Sequence, residues 1–302
     1  MNENQPSITS MVTAYVRAYH SMHSTNKIFD DFLAYSLIPE EIRTLIGHHF
    51  TEDKQLNDSE NTELRSDKIN ALASFLRINN IIARARYAED TLEKAVSQGV
   101  KQYVILGAGL DTFAFRRPEL IEQLEVFEID HPATQGFKLH RLDELGWKHP
   151  AKLHFIPIDF TKENLVTALT RSSYYSSKVK SFFSWLGVTM YLTPEEVFAT
   201  LRSITEVAPA GSTVVFNYSD LDAFTPGKIS PDTQNYRELC QKIGEPITTG
   251  FNPSILAEDL RSLGLRLYEN LSSDDIERLY FKGRTDGYHM SEHGYFACAI
   301  VE

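Results

Sequence analysis

The feature that most constrains this chain is an apolar run, residues 102–106, that ends in two closely spaced glycines, Gly107 and Gly109. The run includes β-branched residues, which favour a strand covered on both faces. Glycine has no Cβ, so the chain can turn sharply after the strand and lie close to a ligand. A second apolar run ends in Asp130, 23 positions after Gly107. That spacing is near the roughly 20 positions typical of a carboxylate that binds ribose hydroxyls in a nucleotide-binding βαβ unit. The same pair of signals also occurs in α/β proteins that bind no nucleotide.

Strand and helix patterns alternate from residue 102 onward, and this alternation predicts an α/β fold with a parallel sheet and helices on both faces. In such a sheet a ligand binds at the carboxyl ends of the strands. A helix at 194–207 is predicted from a capping box of Thr193 and Glu196, and another at 161–170 has Thr161 as its expected N-cap. Strands are predicted at 102–106, 124–129, 152–157, 179–186, 212–218, 265–271 and 294–301.

Two segments exceed what a doubly wound sheet needs. Residues 1–99 are predicted to form an N-terminal helical extension or lid, with helices at 11–23, 28–47 and 68–98 and an acidic loop at 51–67. Residues 100–302 form the expected core, with an insertion at about 219–252 that contains one helix at 232–242. Extra segments over strand ends usually shape a substrate pocket.

Net charge and composition limit the kinds of partner that the protein is expected to bind. The net charge of −11 disfavours nucleic acid, which selects a basic face. Cys240 and Cys298 are too few for a disulfide framework, and no cysteine or histidine spacing suggests a metal site. No apolar stretch approaches the roughly 18 residues that span a bilayer, and no secretory signal is visible. We therefore expect a cytoplasmic protein with no metal and no membrane partner; the oligomeric state is not predictable.

The ligand pattern favours an adenosine without phosphates. The third glycine of a dinucleotide fingerprint is missing, and Pro118 interrupts any long helix that would face a pyrophosphate. A nicotinamide-dependent oxidoreductase is therefore the less favoured alternative, and S-adenosylmethionine fits better. Asp159 and Phe160 follow the third strand and could flank an adenine. The competing interpretations are a capping role for Asp159 and core packing for Phe160.

The chain resembles the leucine carboxyl methyltransferase family, and its bacterial S-adenosylmethionine-dependent O-methyltransferases more than the eukaryotic protein phosphatase methyltransferases. The resemblance implies a Rossmann-like class I methyltransferase fold with a seven-stranded, mostly parallel sheet whose last strand is antiparallel. It is carried in order by residues 84–87, 104–112, 127–132, 158–160 and 185–193, with the Gly-Ala-Gly-Leu-Asp-Thr run and the following Glu-Ile-Asp as its most specific parts.

The resemblance also implies roles for the site residues. Arg84 would pair with the carboxylate of S-adenosylmethionine, and Gly107 and Gly109 would lie against its methionine part. Asp130 would hold the ribose hydroxyls, and Asp159 with Phe160 would flank the adenine.

Two departures separate the chain from the eukaryotic members. Leu186 stands where they place a glutamate on the fourth strand, and residues 10–15 lack their lysine. Both departures argue against the C-terminal leucine of a phosphatase as the substrate.

The leading hypothesis is an S-adenosylmethionine-dependent O-methyltransferase that acts on a carboxylate or hydroxyl of a small or peptide-like acceptor. The alternative hypothesis is that the protein is not an enzyme but binds S-adenosylmethionine without catalysing a reaction. A carboxylate acceptor needs no base at neutral pH, whereas a hydroxyl would gain from one. Tyr191, after the fourth strand, is the first candidate for substrate contact. The candidates for such a base are Tyr15, His20, Tyr191, His289 and His293, and spacing singles out none of them.

Overall fold

The structure, a computed structural model, describes residues 5–44 and 80–302. Its centre is one seven-stranded sheet in the order β3-β2-β1-β4-β5-β7-β6, in which β7 runs antiparallel to both of its neighbours, β5 and β6, and the other pairs are parallel. This confirms the predicted α/β class and the antiparallel last strand. The strands are β1 (Gln102–Leu106), β2 (Glu125–Asp130), β3 (Leu153–Pro157), β4 (Ser181–Trp185), β5 (Thr213–Ser219), β6 (Leu265–Leu271) and β7 (Gly294–Val301).

Every predicted strand is present, and no predicted end is displaced by more than two residues. The accuracy has a simple cause, since β1 and β4 lie at the centre and all ten of their residues are buried. Strands that are buried on both faces appear in the sequence as nearly continuous apolar runs, so their positions can be predicted from the sequence alone.

Helices surround the sheet. The parts of the predicted helices and of the acidic loop that fall at 45–79 lie outside the described residues. Residues 40–44 are helical, and short 3₁₀ or π-helical turns occur at Thr189–Tyr191, Leu221–Phe224 and Glu277–Phe281. The α-helices are α1 (Ile8–His23), α2 (Ala34–Leu37), α3 (Asn80–Ser97), α4 (Phe113–Arg116), α5 (Pro118–Ile121), α6 (Pro132–Glu144), α7 (Leu165–Thr170), α8 (Pro194–Val207), α9 (Pro231–Lys242), α10 (Leu256–Ser262) and α11 (Ser273–Ile276).

Helix starts test the predicted caps. The capping box of Thr193 and Glu196 is present at α8. The prediction that Thr161 caps α7 is wrong, because α7 begins four residues later, with Asn164 as its N-cap. The physical reason is a tight turn in which Asp159 accepts hydrogen bonds from the Thr161 backbone and hydroxyl, so the chain changes direction before the helix starts.

The two faces of the sheet support separate apolar cores. Successive strand residues point to opposite faces, so Tyr103 and Ile105 pack with α1, α3 and α6, while Val104 and Leu106 pack with α7, α8 and α10. The N-terminal helices therefore contribute directly to the core beneath the strand ends. Within the described residues no helix is both long and apolar enough to cross a membrane.

Candidate active site

A cavity of about 830 Å³ lies at the carboxyl ends of the strands, where the fold predicts a ligand. Its wall includes residues from α1, from α3, from the loops after β1 to β5 and from the segment 219–252, hereafter the cover segment. Of the six predicted cofactor-binding residues and the two predicted tyrosines, seven line it: Arg84, Gly107, Gly109, Asp130, Asp159, Phe160 and Tyr191.

The glycine turn after β1 has the backbone that only glycine adopts without strain. Gly107 and Gly109 have φ values of 70° and 53°. The amides of Gly107 and Ala108 both donate to the carbonyl of Ile129, at 2.8 and 3.1 Å. A Cβ on Gly107 would overlap Val188. The turn therefore brings bare backbone to the cavity wall, beside the end of β2.

Asp130 ends β2 with its carboxylate fixed by that turn. The Gly109 amide donates to Oδ2, and the His131 amide donates to Oδ1 at 2.6 Å. Desolvation raises the pKa of Asp130, and the two backbone hydrogen bonds oppose that shift. A carboxylate has about four lone-pair sites, so two remain for hydroxyl groups of a ligand.

Arg84 projects from α3 onto the backbone of Gly187, just beyond β4. A Cβ on Gly187 would lie 2.5 Å from Nη2 of Arg84 and 2.9 Å from its Cζ. Desolvation lowers the pKa of Arg84, and no carboxylate of the described residues pairs with its guanidinium. Because a desolvated cation is costly without a counter-charge, this position suits the carboxylate of a ligand.

Asp159 and Phe160 lie at the far end of the cavity, beyond β3. Oδ1 of Asp159 accepts from the Thr161 amide at 3.0 Å and hydroxyl at 2.7 Å, while Oδ2 lies 3.3 Å from Nζ of Lys162. Desolvation raises the pKa of Asp159, but these hydrogen bonds lower it more, so it lies below its ordinary value. Asp159 thus closes a turn ahead of α7 and does not cap that helix, whose N-cap is Asn164, and its Oδ2 is less committed than Oδ1. Phe160 is half-buried, with its ring centroid 6.4 Å from that of Trp185. Their adenine-side roles remain predictions.

The two predicted tyrosines have different surroundings. Tyr191 lines the cavity, and desolvation raises its pKa well above the ordinary value, so its hydroxyl stays protonated at neutral pH. Tyr15 is buried in the apolar core of α1 and is not among the lining residues, and burial raises its pKa to about 12. A substrate contact by either residue stays a prediction.

The histidine candidates also differ in whether they line the cavity. His20 is fully buried and accepts from the Ile28 amide at 2.9 Å, away from the cavity lining. His289 and His293 both line the cavity.

Sequence reasoning missed several residues of the wall. Gly187 belongs to a quoted motif but had no assigned role, and Tyr236 and Arg237 come from the helix of the cover segment. The only available signal for the latter pair was their place in an insertion over the strand ends.

The residues present fit an adenosine-type sulfonium ligand with an amino-acid tail. The Arg84 cation is complementary to a carboxylate, the bare glycine backbone leaves room for a chain, and the Asp130 carboxylate can accept from a diol. The turn after β1 leads into α4, a helix of only four residues, and Pro118 follows it. This wall therefore has no long helix N-terminus for a pyrophosphate.

Comparison with known proteins also points to a methyltransferase. The leucine carboxyl methyltransferase family model matches residues 10–205. The chain is 38% identical over 304 residues, or 99% of each protein, to YktD of Bacillus subtilis (strain 168), which carries the name of an S-adenosyl-L-methionine-dependent methyltransferase. A protein of Mycobacterium sp. (strain JLS) with the same type of name is 30% identical over 205 residues, 68% of this chain and 64% of the relative.

Solved structures support the fold alone, because their sequence identity is low. A DUF574 family protein from Streptomyces avermitilis MA-4680 superposes with a TM-score of 0.56 at 13% identity, covering 86% of this chain and 97% of the other. A Thermobifida fusca YX protein named as a methyltransferase gives a TM-score of 0.52 at 14% identity, covering 100% and 97%.

Proposed function

The chain belongs to the leucine carboxyl methyltransferase family and is an S-adenosylmethionine-dependent methyltransferase, and from this premise we propose that it methylates oxygen. The acceptor group is a carboxylate or a hydroxyl of a small or peptide-like molecule. One observation carries the proposal: a desolvated cation, a bare glycine turn and a strand-end carboxylate line one cavity, and that cavity continues beyond them along the strand ends.

The proposed cofactor contacts follow the order of the strands. Asp159 and Phe160 would flank the adenine beyond β3, Asp130 would hold the ribose at β2, and Gly107 with Gly109 would lie against the methionine part at β1. Arg84, over the loop after β4, would hold the carboxylate as a permanently charged planar fork. When bound, S-adenosylmethionine supplies an activated methyl group, and the protein's main contribution is to hold the acceptor oxygen in line with it.

The remaining part of the cavity is the proposed acceptor site. It lies at the β4, β5 and β7 end, where Met190, Tyr191, Phe224 and Met290 contribute apolar surface. Ligand sites commonly combine such surface with a few placed polar groups. Leu186 also lines the cavity, where the eukaryotic family members have a glutamate. The apolar character of this end supports a small or peptide-like acceptor.

The N-terminal extension, residues 1–99, and the cover segment are proposed to act together as the lid. Glu245 of the cover segment accepts from the backbone amides of Ile8 and Thr9, at 2.8 and 3.3 Å, at the start of α1. This carboxylate is also favoured by the positive end of the helix dipole. The contact closes the lid over the strand ends and keeps water from the reacting groups.

The free, buried state of Cys240 and Cys298 supports a reducing compartment, and we propose a cytoplasmic location. Cell fractionation followed by immunoblotting tests it. Recovery of the protein outside the cytoplasmic fraction would exclude that location.

The deciding experiment for the reaction is transfer of an isotopically labelled methyl group from S-adenosylmethionine into a bacterial metabolite extract. We expect an O-methylated product that depends on the protein. Release of the label by alkali identifies an ester and a carboxylate acceptor, whereas an alkali-stable label on oxygen identifies an ether. A labelled product methylated on nitrogen, carbon or sulfur would contradict the proposal.

A further inference from the structure

Asp220 and His293 form a hydrogen-bonded pair at the edge where β5 and β7 meet. Nδ1 of His293 lies 3.0 Å from Oδ1 of Asp220, and the Asp220 amide donates to the His293 carbonyl at 3.0 Å. Asp220 directly follows β5 and His293 directly precedes β7, and Ser219 is paired with Gly294 in the sheet. Both members are therefore positioned by the most regular part of the fold.

The partner fixes the tautomer of the imidazole. An ionised carboxylate only accepts hydrogen bonds, so Nδ1 of His293 donates to Asp220, and Nε2 of the neutral ring carries a lone pair. Asp220 is itself held, because its Oδ1 also accepts from the Ala223 amide at 3.1 Å. This is the arrangement in which a carboxylate orients a histidine for proton transfer.

The lone pair on Nε2 of His293 accepts no hydrogen bond from the described part of the protein. Nε2 is buried and makes no hydrogen bond there, and His293 is one of the residues that line the cavity. Its nearest recorded charge is the exposed Glu292, with Oε2 4.0 Å away, beyond hydrogen-bonding distance. A buried acceptor without a donor is energetically costly, so a ligand that donates to it is favoured.

The backbone of His293 is also strained. Among the described residues it is the one non-glycine residue with positive φ, at 67°. Such a conformation is unfavourable for a residue with a Cβ and persists where surrounding structure holds it, often at functional sites.

The same cavity wall holds two more buried polar atoms without partners in the described residues, Nε of Arg237 and Oδ1 of Asn80. Arg237 is otherwise placed by a hydrogen bond to the Ala223 carbonyl at 3.2 Å and by stacking over Phe224 at 4.5 Å. The wall around His293 is thus complementary to a polar acceptor, and the nearby tyrosines do not replace it as a base. Desolvation raises the pKa of Tyr191 and of Tyr236 well above the ordinary value, so both remain protonated.

We propose that His293 is the general base of the methyl transfer, that Asp220 is its positioning residue, and that the acceptor group is therefore a hydroxyl. The inference deepens the proposed function and rests on it. The acceptor O–H bond breaks and its proton goes to Nε2 of His293. The oxygen forms a bond to the methyl carbon while the bond from that carbon to the sulfonium sulfur breaks, which leaves neutral S-adenosylhomocysteine. Asp220 stabilises the imidazolium, which then releases its proton to water. A carboxylate acceptor would already be ionised and would need no such pair.

The test uses His293→Asn in the full chain. Asparagine tolerates positive φ and its amide can still donate to Asp220, but it has no basic nitrogen. We expect methyl transfer into the metabolite extract to fall about 10²- to 10⁴-fold, while the Kd for S-adenosylhomocysteine stays within about twofold. The matched control is His140→Asn, at an exposed histidine of α6 paired with Glu144, which should leave both quantities unchanged.

One further readout, the tautomer of the imidazole, does not depend on turnover, and the pH profile of the rate complements it. Nitrogen-15 NMR of the wild-type imidazole should show the proton on Nδ1 of His293, and Asp220→Asn should reduce the population of that tautomer. The rate should fall toward acidic pH in the wild type but not in His293→Asn, with Asp220, Glu292, Arg237 and His289 as the other charged or titratable groups of that region.

The outcomes separate this inference from the proposed function. An alkali-labile label, undiminished transfer by His293→Asn, or a proton on Nε2 instead of Nδ1 would overturn the role of His293, even if methyl transfer to oxygen is found. Failure of the wild type to bind S-adenosylhomocysteine would instead remove the premise that both share.

Discussion

The guanidinium of Arg84 lies directly over the backbone of Gly187, 2.5 Å from where a Cβ would stand. We predict that Gly187→Ala weakens S-adenosylhomocysteine binding at least tenfold, because the methyl group displaces the cation that meets the ligand carboxylate. Calorimetric titration checks it. Gly187 has φ of 73°, so the variant also loses about 1 kcal/mol of stability.

Gly283→Ala is the control for that loss of stability. Gly283 has φ of 80°, but a Cβ there would meet nothing within 4 Å, and it does not line the cavity. It should lose similar stability with unchanged affinity. Equal weakening of ligand binding by both variants would show that backbone strain, not Arg84, is responsible.

Arg84 should contribute affinity only for ligands that carry the amino-acid carboxylate. Arg84→Gln is expected to raise the Kd for S-adenosylhomocysteine about 10- to 100-fold, as befits a charge-assisted hydrogen-bonded pair. The Kd for 5′-methylthioadenosine, which lacks the amino-acid tail, should change little. Arg86→Gln, two positions along and paired with Asp90 at the surface, is the control. Equal weakening for both ligands would contradict the assignment.

Glu245 should control how firmly α1 is held. Its oxygens accept from the backbone of Ile8 and Thr9 and from the hydroxyls of Ser7 and Thr9. Glu245→Gln places an amide donor against these donors, so we expect a loss of about 1–2 kcal/mol in the free energy of unfolding. Hydrogen exchange should quicken in α1 and not in β1. Glu206→Gln, at an exposed position of α8, should change stability by less than about 0.5 kcal/mol, and exchange that quickens uniformly would argue against a local contact.

His20 gives a pH dependence whose sign follows from its burial. Burial lowers the pKa of His20 to about 4, and the positive charge of Arg284 acts in the same direction. Between the ordinary histidine pKa of about 6.5 and pH 4, the unfolded chain binds a proton that the folded chain does not. Stability should therefore fall as the pH drops through this window, by about 3 kcal/mol.

Urea unfolding at a series of pH values measures that loss. His20→Gln, whose amide oxygen can accept from the Ile28 amide, should show a smaller decrease over the same window. His140→Gln, at an exposed histidine, should behave as the wild type. An identical pH profile for His20→Gln and wild type would refute the interpretation.

The sequence could predict what is local. Gly107 and Asp130 were visible because each ends an apolar strand, and hydrophobic patterning fixes where buried strands stop. The pairing of Asp220 with His293 could not be predicted, since 73 positions separate them and only the antiparallel register of β5 and β7 brings them together. The N-cap error at Thr161 has the opposite cause, because the side chain of Asp159 competes for the same local hydrogen bonds.

The cover residues were beyond prediction for a related reason. The pattern gave the helix at 232–242 almost to the residue, yet it could not tell which of its side chains would face the strand ends. Tyr236 and Arg237 reach the cavity only because α9 packs across it. Helical spacing also could not decide the environment of Tyr15, because a tyrosine at that position on α1 is equally compatible with the apolar core and with the site.

The most direct test of the account is a crystal structure of the full chain grown with S-adenosylhomocysteine. We predict one molecule of ligand in the cavity, with its carboxylate on Arg84, its ribose hydroxyls on Asp130 and its sulfur beside the turn of Gly107 and Gly109. A ligand bound elsewhere, or one in this cavity with the ribose away from Asp130 and the carboxylate away from Arg84, would contradict it.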